Sequence, residues 1–115
     1  MAREKADVLQ GTLDLMILET LQAMGPLHGY RIARRIEQIS LDQLSINQGT
    51  IYPALLKLQQ HRWIAAKWGA SSTGRRVKVY CITRRGQQQL LDEEGNWQRA
   101  AGIVAKFFKL SRGLP

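Results

Sequence analysis

A mainly α domain is predicted, with three short helices, a basic hairpin and one long closing helix, and three observations predict it. Apolar residues recur at three- and four-residue spacing from Leu9 to Leu58. The period then changes to alternation through Arg76-Val77-Lys78-Val79-Tyr80-Cys81-Ile82, which reads as a strand. Helical spacing resumes after Thr83 and runs nearly to the C-terminus. At 115 residues, 44% hydrophobic and 23% charged, the chain has the size and composition of one globular unit with one core.

The first helix carries Leu9, Leu13, Met16, Ile17 and Leu21 on one face. Gly25-Pro26 ends it, because Gly suits the C-terminal cap and Pro cannot continue the hydrogen-bond ladder. A second helix is expected from about Gly29 to Ile39. Ile32, Ile36 and Ile39 share one side of it, and Arg31, Arg34 and Arg35 lie mainly on the other. The third helix begins near Asn47, whose side-chain oxygen can accept a free first-turn amide. Its buried stripe is Ile51, Leu55 and Leu58. Pro53 crowds the carbonyl of Gly49, so local bending is expected there.

Trp63 to Trp68 reads as a short strand, Gly69 to Gly74 as a turn, and Arg76 to Ile82 as the returning strand. Thr83 is placed to cap the fourth helix, expected from about Arg84 to Leu110. Gly86, Gly95 and Gly102 each weaken that helix by about 1 kcal/mol relative to Ala, so packing against a partner is needed to hold it.

Charge narrows the function. The net charge is +8. Between Asp42 and Asp92 lie Lys57, Arg62, Lys67, Arg75, Arg76, Lys78, Arg84 and Arg85, and no acid. The remaining nine bases are matched by nine acids, so the whole excess sits in the middle of the chain. Concentrated positive charge fits a polyanion, and a nucleic acid first of all.

Three helices followed by a basic hairpin form a winged helix-turn-helix with a two-stranded wing. In this arrangement the third helix enters the major groove of duplex DNA. Asn47, Gln48, Gly49 and Thr50 are the small polar residues on its first turn, and free amides there suit a phosphate. Tyr52 lies on its flank, either as a phosphate or sugar contact or as a half-buried packing residue. Lys57 is a further expected DNA contact on the same helix. Lys67, Arg75, Arg76 and Lys78 supply the wing with phosphate contacts; the alternative is a solvated edge strand protected by charge.

The stretch Gly49-Thr50-Ile51-Tyr52-Pro53-Ala54-Leu55-Leu56-Lys57-Leu58 resembles the PadR family of winged-helix transcriptional regulators. Gly11-Thr12-Leu13-Asp14-Leu15, His28-Gly29-Tyr30-Arg31-Ile32 and Tyr80-Cys81-Ile82-Thr83-Arg84-Arg85-Gly86 fit the same family in the same order. The resemblance implies a homodimeric repressor on a palindromic operator, with the C-terminal helix as the dimerisation element. Some members of that family are released from DNA by a small aromatic or planar effector. This chain has one closing helix and a compact hairpin turn, which leaves nothing for a separate ligand domain.

The fourth helix points to a dimer on its own spacing. Trp97, Ala101, Val104 and Phe108 are separated by four, three and four residues, the seam of a helix–helix contact, and Leu90 continues it seven residues earlier. The alternatives are a helix folded back on its own domain, and Trp97 as the floor of an aromatic effector pocket. Residues 1–83 are thus expected to form the DNA-binding domain, and 84–115 the dimerisation helix and tail. A second reading of the whole is a basic winged-helix module that binds DNA or RNA structurally, without operator choice. A third is a ligand- or protein-binding dimer that has lost DNA affinity.

Other classes find little support. Cys81 is the single cysteine and His28 and His61 the two histidines, so no disulfide, zinc site or catalytic grouping is expected, and no cofactor. No apolar run approaches the roughly 20 residues of a membrane span. Met1 to Val8 is charged and lacks a signal-peptide core, which makes the cytoplasm the expected location.

Overall fold

The computed structural model describes residues 11–113. Leu9 and the charged N-terminal stretch lie outside them. The first helix, α1 (Thr12–Met24), buries Leu13, Ile17 and Leu21, as its spacing requires, together with Leu18, while Met16, expected on the same face, is only partly buried against the core. The Gly25 amide closes it on the carbonyl of Leu21. After a two-residue strand, β1 (Leu27–His28), α2 (Gly29–Ile39) buries Ile32, Ala33 and Ile36. Ile39, expected on the same side, is the last residue of α2 and is exposed.

The connection to the third helix is fixed by charge. Glu37 accepts the Ile46 amide through Oε2 at 2.8 Å. Arg34 lies 3.5 Å from both Glu37 and Asp42, at the two-residue turn of Leu41 and Asp42. The helix α3 (Gln48–Gln60) starts at the expected cap, where Asn47 accepts the Thr50 amide at 3.0 Å. Ile51, Leu55 and Leu58 are fully buried. α3 continues past Pro53, and the Gly49 carbonyl that loses its partner lies at the exposed end, where water can serve it.

The hairpin is β2 (Ile64–Ala70) and β3 (Arg76–Ile82), paired antiparallel with Ile64 opposite Ile82 and Ala70 opposite Arg76. β2 extends two residues beyond the expected Trp68, taking Gly69 and Ala70 from the turn. Gly74 closes the remaining turn at φ +81°, a conformation costly for any residue with a Cβ. β1 adds a third strand on the far side of β3, giving the order β1-β3-β2. Leu27 pairs with Tyr80 and His28 with Val79. Two residues are too few to show a strand period, which is why β1 is silent in the sequence.

The last helix, α4 (Arg84–Gly113), has 30 residues and runs three beyond the expected end. Its length is about 45 Å at 1.5 Å per residue. Thr83 caps it: the hydroxyl accepts the Gly86 amide at 3.0 Å and lies 2.8 and 3.0 Å from the carbonyls of Arg62 and Trp63. Gly86 is required rather than merely tolerated. A Cβ there would come within 2.0 Å of the Trp63 carbonyl oxygen, so only Gly lets α4 cross the α3–β2 junction this closely. The core therefore does not end at Thr83. It gathers α1, α2 and α3 with Ile46, Ile64, Tyr80 and Leu90 of α4.

Candidate nucleic-acid interface

The first turn of α3 is presented as a recognition helix requires. The stripe of Ile51, Leu55 and Leu58 anchors it, and Asn47, Gln48 and Gly49 face solvent. Asn47 is already engaged, together with Thr50. The Thr50 hydroxyl donates to Asn47 Oδ1 at 3.1 Å, beside the capping bond to the same oxygen. This fixes the turn and leaves Gln48 as its unconstrained polar side chain.

The wing meets α3 across a groove of about 500 Å³. Tyr52 of α3, Arg75 and Lys78 of the wing, and His28 and Tyr30 of the β1–α2 junction line it. Tyr80 also lines it and is itself buried; burial, with a smaller contribution from Tyr52, raises its pKa above the ordinary phenol value and keeps it protonated. The groove thus offers cations and hydroxyl donors, and no carboxylate lines it. Tyr52 is half exposed, and its ring and hydroxyl lie against Gly29, close enough that a Cβ there would come within 2.8 Å of the ring, so the ring packs on the start of α2.

Two expected contacts are placed differently. Lys57 is half exposed but ion-paired: its Nζ lies 2.8 Å from Oδ2 of Asp14, a buried carboxylate of α1, which offsets its charge. Lys67 lies opposite Val79 on β2, on the other face of the sheet from Lys78. It adds to the wing's positive field but does not line the groove. Residues missed in the sequence are His28 and Tyr30, which the two-residue β1 brings to the wing, and Trp68, which stands opposite Lys78.

Residues 17–92 match the model of the transcriptional regulator PadR-like family. The chain belongs to this family. A transcriptional regulator from Clostridium thermocellum superposes with a TM-score of 0.77 at 26% identity, over 85% of this chain and 94% of that one. A PadR-like transcriptional regulator from Bacillus cereus gives 0.73 at 28% identity, over 87% and 94% of the two chains. A Lysinibacillus sphaericus protein is 27% identical over 105 residues, 91% of this chain and 95% of its own length. As a PadR-like regulator the protein binds DNA to regulate transcription and is not an enzyme. Among the described residues no helix is long and apolar enough to cross a membrane.

The PadR-like α4 leaves the body after Leu90. Leu90, expected at the start of the seam, is 7% exposed and packs into the core of its own chain. Trp97, Val104 and Phe108 are each about half exposed, and Ala101 between them is exposed too. A second stripe was missed. Ile103, Phe107 and Leu110, at i, i+4 and i+7, are also exposed. An apolar cleft of about 450 Å³ lies between α1, α2 and α4, lined by Met16, Ile39 and Leu90 among others. Trp97 is not part of it.

Proposed function

We propose that this PadR-like protein is a homodimeric repressor that acts in the cytoplasm on a palindromic operator. One observation carries the reading: α3 and the wing converge on the groove where Tyr52 meets Arg75 and Lys78, beside the exposed first turn of α3. Gln48 reads base edges in the major groove, supported by Thr50. Tyr52, Arg75, Arg76 and Lys78 hold the flanking backbone, with Lys67 contributing charge.

The dimer is supported by the apolar surface of α4. Trp97, Ile103, Val104, Phe107, Phe108 and Leu110 lie on one projecting helix, and such a patch marks an association surface. A twofold pairing of two such helices sets two recognition helices on successive major grooves, about 34 Å apart. Trp97, covered only by a second copy, is the side chain on which a planar effector would stack.

Selection of bound duplexes from a random library, with sedimentation of the protein alone, tests the reading. The expected result is a dimer that enriches an inverted repeat whose half-site centres are about one helical turn apart. A protein that binds every duplex equally would instead be a structural DNA-binding module. Promoter occlusion in a transcription assay on the selected site tests repression.

A further inference from the structure

Trp68 is a large apolar side chain with 57% of its surface exposed, and the other residues of 65–79 are small, β-branched or basic. Strand alternation sets it on the face of the sheet shared by Ile64, Ala66, Tyr80 and Ile82. Near the body this face covers the core. Past the end of the core the same face carries Trp68, with Lys78 directly opposite and Arg76 beyond it. The guanidinium of Arg76 lies 4.4 Å from the indole centroid, and Lys78 Nζ 5.9 Å from it. Folding does not explain the cluster, since the indole is left open to water.

We propose that Trp68 contacts duplex DNA directly, packing its indole on deoxyribose at the edge of the minor groove, with Arg76 directed into the groove from the indole's face. The proposal rests on the reading of the protein as an operator-binding regulator. Three observations support it. Lys78, paired with Trp68, lines the groove shared by Tyr52 and Arg75, so the cluster is continuous with the candidate interface. Among the described residues neither Arg76 nor Lys78 is in an ion pair, so both cations keep their charge for a polyanion. A guanidinium stacked by its face keeps its edge N–H groups for acceptors, and a narrow minor groove attracts such an arginine.

The test uses the full chain and a short random-sequence duplex, so it needs no knowledge of the operator. Binding is titrated across a salt series for the parent, Trp68→Ala and Trp68→Phe, with thermal melting as the folding control. Trp68→Ala should weaken binding about five- to tenfold, as expected for losing a modest apolar contact. It should leave the salt slope unchanged, because an apolar contact releases no counterion. Trp68→Phe should retain most of the affinity. The fluorescence of Trp68, taken as the difference between the parent and Trp68→Phe, should become protected from acrylamide when DNA binds. Trp68→Ala binding like the parent, or Trp68 staying open to acrylamide on DNA, would overturn the proposal. So would a loss of affinity with a slope lower by about 0.9, since Trp68 would then act only by holding Arg76. Preference for single strands would overturn the minor-groove assignment. Should the parent itself fail to bind duplex, the operator reading falls first and this proposal with it.

Discussion

Lys57 Nζ on α3 and Asp14 Oδ2 on α1 lie 2.8 Å apart, and they tie the third helix to the first. The Asp14 side chain is 10% exposed, that of Lys57 42%. A buried carboxylate is costly without a partner, whereas the lysine can reach water. The pair is therefore asymmetric. Lys57→Met should lower stability by about 1–3 kcal/mol, below the full cost of breaking a buried pair because solvent screens the lysine side. Asp14→Leu combined with Lys57→Met should recover most of the loss. Denaturant unfolding of both variants checks this, and DNA affinity of folded Lys57→Met close to that of the parent would confirm that Lys57 is not a phosphate contact.

The same pair shows what was legible in the sequence. Elements with a period were legible: the stripes of α1 and α3, the Asn47 and Thr83 caps and the alternation of β3 all follow from local spacing. Pairings across the chain were not. Lys57 looks like a free base because its partner is 43 residues away. β1 has no pattern and exists because Leu27 meets Tyr80. Leu90 and Trp97 share a seven-residue spacing, but the body ends between them. Periodicity gives the face of a helix that must be covered, and not which surface covers it. The candidate interface was legible through its charges, while His28, Tyr30 and Trp68 enter it only through strand pairing.

Arg75 and Arg76 flank the wing turn with no neighbouring acid. The double variant Arg75→Ala/Arg76→Ala should weaken binding to specific and random duplexes by similar factors. The salt slope should fall by about 0.9 for each phosphate contact removed. Titration over a salt series measures both quantities, and an unchanged slope would take the two arginines out of the interface.

Gln48 is exposed on the first turn of α3, while Asn47 and Thr50 are occupied with each other. Base discrimination should therefore concentrate on Gln48. Gln48→Ala should relax sequence preference by about 1–3 kcal/mol at one base step in each half-site, with little change on random DNA. Thr50→Ala should act differently, by loosening the Asn47 cap and lowering stability. Repeating the duplex selection with each variant separates the two. Full discrimination in Gln48→Ala would move the readout to DNA shape or to other side chains.

The last prediction concerns the projecting part of α4. Truncation after Gly95 keeps Thr83, Gly86 and Leu90, the residues that fix the start of α4 to the body, and removes Trp97 and both exposed apolar stripes. The remaining winged helix should stay folded, sediment as a monomer and bind the operator no better than a single half-site. Trp97→Asp gives a sharper version. Trp97 is 56% exposed in the single chain, so a charge there costs the monomer little. In a helix–helix seam the same carboxylate would be buried without a partner, a penalty of several kcal/mol. Sedimentation and operator titration of both variants decide the matter. A truncated protein that remains dimeric would place the dimer contact elsewhere, most directly in the cleft between α1, α2 and the start of α4. A Trp97→Asp monomer that binds the full operator as tightly as the parent would show that the two half-sites are read independently.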